Sequence, residues 1–255
     1  MKRRLRRAGV PRGRPHAATG ESQHQPERRE GRVANAGTIF DDVRQAEARV
    51  LSADAYQAEF TEEFERAPDG VWKLERAQEF FEPDVASWRA MMAGDWDGSL
   101  AMLEELREFL VDYYRTRPTA RRVRIVETPP TPYLQWELHV LAVRATAGER
   151  PRVLHADAVR ELEHTAPLPE IVVLGPALLY EVLYDEIGAH VGARRITDPA
   201  LVAPCLAAIK ELYGRGEDVR AYVEREVAPL PPPSISDRTR DLLPGYSHHT
   251  GTFRP

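Results

Sequence analysis

The stretch RVRIVETPPTPYLQWELHVLAVRATAGERPRVLHA, residues 122–156, decides the fold class. In its first part Val123 and Ile125 alternate with arginines, the period-two pattern of a strand. Pro129 and Pro130 interrupt that pattern. Thr131 then offers a side-chain acceptor to the free N–H groups of a first helical turn. Pro132 suits the position after it, because the N–H it lacks is one no helix uses. Helical spacing of apolar residues continues to Ala147, and Gly148 ends it. PRVLHA, residues 151–156, reads as a second strand. Strand, helix and strand with short joints make a βαβ unit, and such crossovers are right-handed in nearly all cases. The expectation is an α/β or α+β domain with a mixed sheet.

The same helix gathers a Tyr, a Trp, a Glu and a His in TPYLQWELHV, residues 131–140. At about 100° per residue, Glu137 falls among Tyr133, Trp136, Val140 and Leu141. His139 falls beside Gln135 on the polar side, roughly 200° from Glu137, so the two cannot form one acid–base dyad. A carboxylate among aromatic and aliphatic neighbours must find a partner or give up its charge. Arg122 or Arg124, on the preceding strand, can supply the partner; Arg144, roughly 10 Å along the axis, is too far. The first expectation is a buried Glu–Arg bridge fixing helix to sheet. The alternative is a ligand-anchoring or proton-handling carboxylate in a pocket walled by Tyr133 and Trp136, with Arg124 and Trp88 as further candidates.

Working outward, TIFDDVRQAEARV (38–50) and SADAYQAEFTEEFER (52–66) read as helices capped by Thr38 and Ser52. Pro68-Asp69-Gly70 turns the chain into VWKLERAQEF (71–80), a strand. PDVASWRAMMAGD (83–95) reads as a helix capped by Asp84 and closed by Gly94. SLAMLEELREFLVDYYRTR (99–117) reads as one helix, with Leu103, Leu106, Leu110 and Tyr113 on its stripe. Beyond the βαβ unit, EIVVLG (170–175) is a strand, and ALLYEVLYDEIGAHVGARRI (177–196) a hairpin turning at Asp185–Gly188. TDPALVAPCLAAIKELYGRG (197–216) returns to helix from Asp198 and Pro199, with Pro204 either kinking it or marking its true first turn. A final helix is expected near residues 217–227. The organisation expected is a disordered basic extension (1–37), one globular domain (38–228) and a Pro-rich disordered tail (229–255).

Charge is unevenly placed. Residues 1–37 hold ten Lys+Arg against three Glu, a net of +7; the whole chain is −5, leaving −12 on residues 38–255. An acidic body repels phosphate, so nucleic acid is expected only through the basic arm at residues 2–14. No apolar run approaches the ~18 residues of a membrane span, and none follows the basic N-terminus, so a cytoplasmic location is expected. Only three of the 35 basic residues are Lys, the bias of a GC-rich genome.

Several chemistries lack their motifs. There is no phosphate-cradling glycine loop, no GxSxG elbow and no HExxH pair. Cys205, the single cysteine, lies beside Leu201, Leu206 and Ile209, which suits an inert core thiol. No metal or cofactor is expected. A His155–Glu163–His164 site is the weak exception, and Glu161 with Glu163 reads better as a solvated helix edge. If a reaction is catalysed, Glu137 needs a second group, with Glu75, Glu170 or Asp185 as candidates.

The segments VWKLERAQEFFEPDVASW, GDWD, RVRIVETPPTPYLQWELHVLAVRATAGE, VLYDEIG, GARRITD and VAPLPPP resemble a family of actinobacterial, Streptomyces-type proteins known as a domain of unknown function. The resemblance spans residues from about 40 to 233, with TPYLQWELH its most specific part. Its members often lie near helix-turn-helix regulators, which implies a regulatory accessory role, with a regulator or another protein as partner. The order of βαβ unit and hairpin also resembles the phospholipase D-like fold, in a degenerate form. The HxK of such nucleases is replaced by Leu179-Tyr180-Glu181, which implies binding rather than catalysis. The function expected is therefore a non-enzymatic protein that binds a small ligand or a partner.

Overall fold

A computed structural model describes residues 36–67 and 69–235. The basic arm, the doublet His248–His249 and the chain beyond Ile235 lie outside the described residues. The helices are α1 (Ala36–Gln45), α2 (Ala53–Arg66), α3 (Ala86–Met92), α4 (Trp96–Glu105), α5 (Arg107–Arg115), α6 (Pro132–Ala147), α7 (Pro199–Arg215) and α8 (Val219–Tyr222). The strands are β1 (Arg49–Ser52), β2 (Val71–Glu75), β3 (Ala120–Val126), β4 (Arg150–His155), β5 (Ile171–Leu174), β6 (Leu178–Tyr184), β7 (His190–Ile196) and β8 (Glu217–Asp218).

All eight strands join one mixed sheet in the order β1-β7-β6-β5-β2-β3-β4-β8. β2, β3 and β4 run parallel, linked by crossovers, and the remaining pairs are antiparallel. The expected βαβ unit is β3-α6-β4, and the expected hairpin is β6-β7. Helices cover both faces. On one, α1 and α7 pack Phe40, Val202, Cys205 and Ile209 onto Leu74, Val123, Ile125 and Val173. On the other, α2 to α6 bring Phe60, Trp88, Met91, Tyr133 and Trp136 against Val71, Val172 and Tyr180.

Local caps start the helices as their sequences require. The side chains of Ser52, Asp95, Thr131 and Asp198 accept from Ala55 N (3.3 Å), Gly98 N (2.9 Å), Leu134 N (3.1 Å) and Ala200 N (2.9 Å). Pro204 sits inside α7, which continues through it. Other expectations need correction. α1 begins at Ala36, so Thr38 lies within it, and α3 starts after Val85 with no side-chain cap from Asp84. The long helix expected over 99–117 is two helices meeting at Leu106. That break turns Leu103, Leu110 and Tyr114 inward and leaves Leu106 exposed. Residues 49–52 form the edge strand β1 against β7, so Arg49 and Val50, expected to end a helix, are extended instead. Their approach depends on Gly192, whose φ of +147° and lack of a Cβ admit the carbonyl of Leu51; an added Cβ would sit 2.0 Å from that oxygen. The final segment is a short strand, one helical turn and a π-helical turn over Val223–Val227.

The largest departure concerns α6. Expected as amphipathic, it is buried on nearly every side. Leu134, Leu138 and Leu141 pack on Val219, Val223 and Val227. Gln135 is buried because its Nε2 donates to the carbonyl of Pro231 (2.9 Å), and Ile235 packs into the core beneath α2 to α6. The packed body therefore runs through the start of the Pro-rich stretch to Ile235.

Candidate functional site

The parallel pair β2–β3 has one apolar and one charged face. Trp72, Leu74, Val123 and Ile125 point toward α7; Lys73, Glu75, Arg122 and Arg124 point toward α6. The register sets Lys73 beside Arg122 and Glu75 beside Arg124. Because α2 and α6 close over this face, four charged side chains that a half-open sheet would give to water are held inside.

They survive by pairing with one another. Arg122 bridges two carboxylates, donating through Nε to Glu149 (2.8 Å) and through a terminal nitrogen to Glu75. Glu149 follows Gly148, the residue that ends α6, and is almost fully buried. It also accepts from the Tyr114 hydroxyl (2.6 Å) and lies 3.6 Å from Arg144. Arg124 donates to Glu137 through Nε (2.7 Å) and to the carbonyls of Ile125 (3.1 Å) and Glu75 (3.4 Å). The bridge expected between helix and sheet is thus present, and Arg124 rather than Arg122 makes it. Glu170, just before β5, turns Oε1 to the backbone N–H groups of Arg76 (2.8 Å) and Ala77 (2.7 Å).

These environments separate the carboxyl groups. Burial alone would raise Glu149, but Arg122 and Arg144 outweigh it and hold its carboxyl down at about 2. Glu75 is buried too, yet Arg122 keeps it below the ordinary range. Burial lifts Glu137 above that range, and Arg124 offsets only part of it. Burial and the charge of Glu75 push Glu170 up to about 7, despite its two backbone donors. Lys73 moves the other way, brought down to about 7 by burial and by Arg122.

This contrast has a measurable consequence. Glu137→Gln keeps an acceptor for Arg124, and the carboxyl it replaces is one that burial raises above its ordinary range. We expect it to fold and to lose no more than about 2 kcal/mol in urea unfolding. A larger loss would mean that Glu137 is firmly ionised.

Between α6, α2, β2, β5, β6 and the segment 79–82 lies a cavity of about 140 Å³. Its lining includes Lys73, Glu75, Arg122, Glu137, Arg144 and Glu170, with Phe80, Tyr133, Trp136 and Tyr184 as aromatic walls. Phe80 packs on Tyr184 (4.5 Å between centroids) and on Tyr133 (5.6 Å). Oε2 of Glu75, Oε2 of Glu170 and Nε1 of Trp136, on lining residues, are buried polar atoms with no hydrogen-bond partner among the described residues, as is the terminal nitrogen Nη2 of Arg124 beneath the cavity.

A family model described as a domain of unknown function, DUF6879, matches residues 58–224. The chain belongs to that family. No curated protein and no solved structure matches it. The DUF6879 match contains every charged residue of the cavity.

Within this DUF6879 domain the residues singled out from sequence fall into three groups. Glu137, Tyr133, Trp136, Glu75 and Glu170 line the cavity. Arg124 sits beneath it, held to Glu137, and Trp88 lies behind the wall, edge-on to Phe81 at 5.2 Å. Asp185 is elsewhere, its carboxylate accepting from Ile187 and Ala189 N within the β6–β7 turn. Sequence reading missed Lys73, Arg144, Glu149 and Tyr184. Arg144 was rightly judged too far from Glu137, but its partner is Glu149, one residue past the helix end.

The remaining candidates have structural partners. His155 bonds Thr128 through Nε2 (3.0 Å). Glu163, expected at a solvated edge, is tied to Arg76 Nε (2.6 Å) and Leu168 N (2.9 Å). Tyr180 and Glu181, in place of a nuclease HxK, bond Glu59 and Arg194. Burial pushes the Cys205 thiol up to about 12. Among the described residues no group of three or more His, Cys, Asp or Glu is placed to hold a metal ion, and no helix is long and apolar enough to cross a membrane.

Proposed function

We propose that this domain is a non-catalytic binding protein whose ligand is a small molecule seated in the cavity under α6. The observation that supports it is a cavity of about 140 Å³ under α6 whose lining combines charged side chains, Lys73, Glu75, Arg122, Glu137 and Glu170, with the aromatic rings of Phe80, Tyr133, Trp136 and Tyr184. A cytoplasmic, actinobacterial setting and a helix-turn-helix regulator as partner belong to the same proposal. Their support is the arginine-rich composition and the family resemblance alone.

The test is extraction. Natively purified protein is denatured, and the released small molecules are identified by mass spectrometry. A near-stoichiometric compound released by the wild type and missing from a cavity-filled Val182→Phe variant is expected. If neither protein releases anything, and no compound in a metabolite panel raises the melting temperature, the reading fails.

A second reading, an enzyme moving protons, is favoured by one arrangement: Glu170 and Lys73 line the same cavity, burial pushing the carboxyl up and the amine down, each to about 7. Incubating the captured compound with protein and following it by mass spectrometry separates the two. Chemical change that disappears in Glu170→Gln supports catalysis, and an unchanged compound supports binding.

A further inference from the structure

The outer surface of α4 and α5 keeps apolar side chains in water. Of the seven large apolar side chains exposed among the described residues, four lie between residues 102 and 111: Met102, Leu106, Phe109 and Val111. Met102, Leu106 and Phe109 are four and three positions apart, the spacing of neighbours on one helix face. Leu106, where the two helices meet, keeps right-handed helical dihedrals (φ −75°, ψ −12°), so the stripe runs on through the break. It spans two turns, roughly 10 Å. The core has no need of it, because Leu103, Leu110 and Tyr114 fill the inward positions of the same helices. Apolar side chains gathered in one place on a surface, unlike scattered ones, mark a docking face.

Carboxylates border the stripe. Glu105 is three positions from Met102 and four from Phe109, Asp112 is three from Phe109, and Glu108 lies between Glu105 and Asp112 at the same spacings. Residues 93–117 hold six Asp and Glu against three Arg, a net of −3. The arginines are occupied locally: Arg107 pairs with Glu104 (2.6 Å), Arg115 with Asp112 (2.9 Å), and Arg117 lies over the Tyr113 ring (4.0 Å). Glu105 and Glu108 have no cationic partner among the described residues. This border selects the occupant. A second copy would set the same carboxylates against one another, and phosphate, whether of nucleic acid or lipid, would meet them as well. The complement of an apolar stripe edged with carboxylates is a helix whose own apolar stripe is edged with Lys or Arg.

We infer that the α4–α5 face docks a basic amphipathic helix of a partner protein, with Met102, Leu106 and Phe109 taking its apolar side chains and Glu105, Glu108 and Asp112 its cations. No residue of α4 or α5 lines the cavity, so the face and the small-molecule reading stand or fall separately. The test is a fluorescence-anisotropy titration of the full chain into a labelled peptide of two Leu-Lys-Lys-Leu-Leu-Lys-Leu repeats, a helix former with one leucine stripe between lysines. Its controls are the same residues in an order that scatters the leucines around the helix, and a version with Glu for Lys. The amphipathic Lys peptide is expected to bind at least tenfold more tightly than the scattered one, and the Glu version not at all. Phe109→Ser should weaken binding at least fivefold, and so should Glu105→Gln with Glu108→Gln. All three side chains are exposed, so the melting temperature should not move. Ile187→Ser, at an exposed apolar residue of the β6–β7 turn beside Asp185 and Glu186, should leave the affinity unchanged.

A scattered peptide that binds as tightly as the amphipathic one would reduce the effect to bulk charge and overturn the inference. So would an affinity unmoved by Phe109→Ser, or lowered equally by Ile187→Ser. Dimers in sedimentation that Phe109→Ser abolishes would give the face to a second copy. A tenfold rise in probe affinity on replacing Arg3, Arg4, Arg6 and Arg7 by Ser would give it to the chain's own basic segment. Either result overturns the assignment to a partner.

Discussion

Glu149→Gln is expected to lower the stability of the domain by about 3–5 kcal/mol, the range for removing one partner of a buried ion pair. The carboxylate serves the Arg122 guanidinium, the Tyr114 hydroxyl and Arg144 at once, with almost no access to water. An amide keeps an acceptor for one of these, but it leaves Arg122 with Glu75 alone and takes the nearby negative charge from Arg144. For a domain of this size the loss is on the order of 10 °C in melting temperature. The acid limb provides the check. A carboxyl held at about 2 against an ordinary 4.5 adds stability that is fully present above 4.5 and lost as pH falls through 2. Wild-type protein should therefore lose about 3 kcal/mol across that window through this group, and the variant should not. Parallel acid limbs for the two proteins in urea titrations would show that Glu149 is not the anchor of the cluster.

The alkaline side should behave in the opposite sense. Lys73, brought down to about 7 from an ordinary 10.5, is a buried amine that the fold prefers uncharged. Below 7 it must carry its proton in the folded state at a cost. Between 7 and 10.5 the unfolded chain binds more protons than the folded one, so stability rises with pH there. The rise is as much as about 5 kcal/mol. Lys73→Met removes it: the variant should be more stable than wild type at pH 7, and the two should converge near pH 10. Glu170 slopes the other way in its own window. Its raised carboxyl makes stability fall as pH rises from 4.5 to about 7, so the two groups together place a local minimum near neutrality. A wild-type curve that is flat from pH 7 to 10, or a variant that tracks it, would refute the assignment for Lys73.

How much was legible beforehand differs from element to element. The β3-α6-β4 unit and the β6–β7 hairpin could be read because their signals are local. Thr131 caps the helix whose first residue is Pro132, and Gly188, at φ +82°, sits in the turn Asp185–Gly188. β1 could not be read, since four residues with one buried side chain carry no period, and their partner in β7 lies some 140 residues away. Glu137 and its bridge to Arg124 could be read from helical projection, but Glu149 could not. It is a charged residue just beyond a helix end, where exposure is the default expectation, and only the packing of α5 against α6 brings Tyr114 to it.

The sequence by itself determined which residues share a face: alternation put Lys73 with Glu75 and Arg122 with Arg124, and helical spacing put Glu137 with Tyr133 and Trp136. Whether each face is wet or dry was decided by the tertiary structure alone. Periodicity separates two faces but says nothing of what comes to cover them. Here α2 and α6 close over the charged face of β2 and β3, and residues 219–235 close over the outer side of α6. That covering converts ordinary surface charges into a buried network of ion pairs, Arg122 with Glu75 and Glu149 and Arg124 with Glu137.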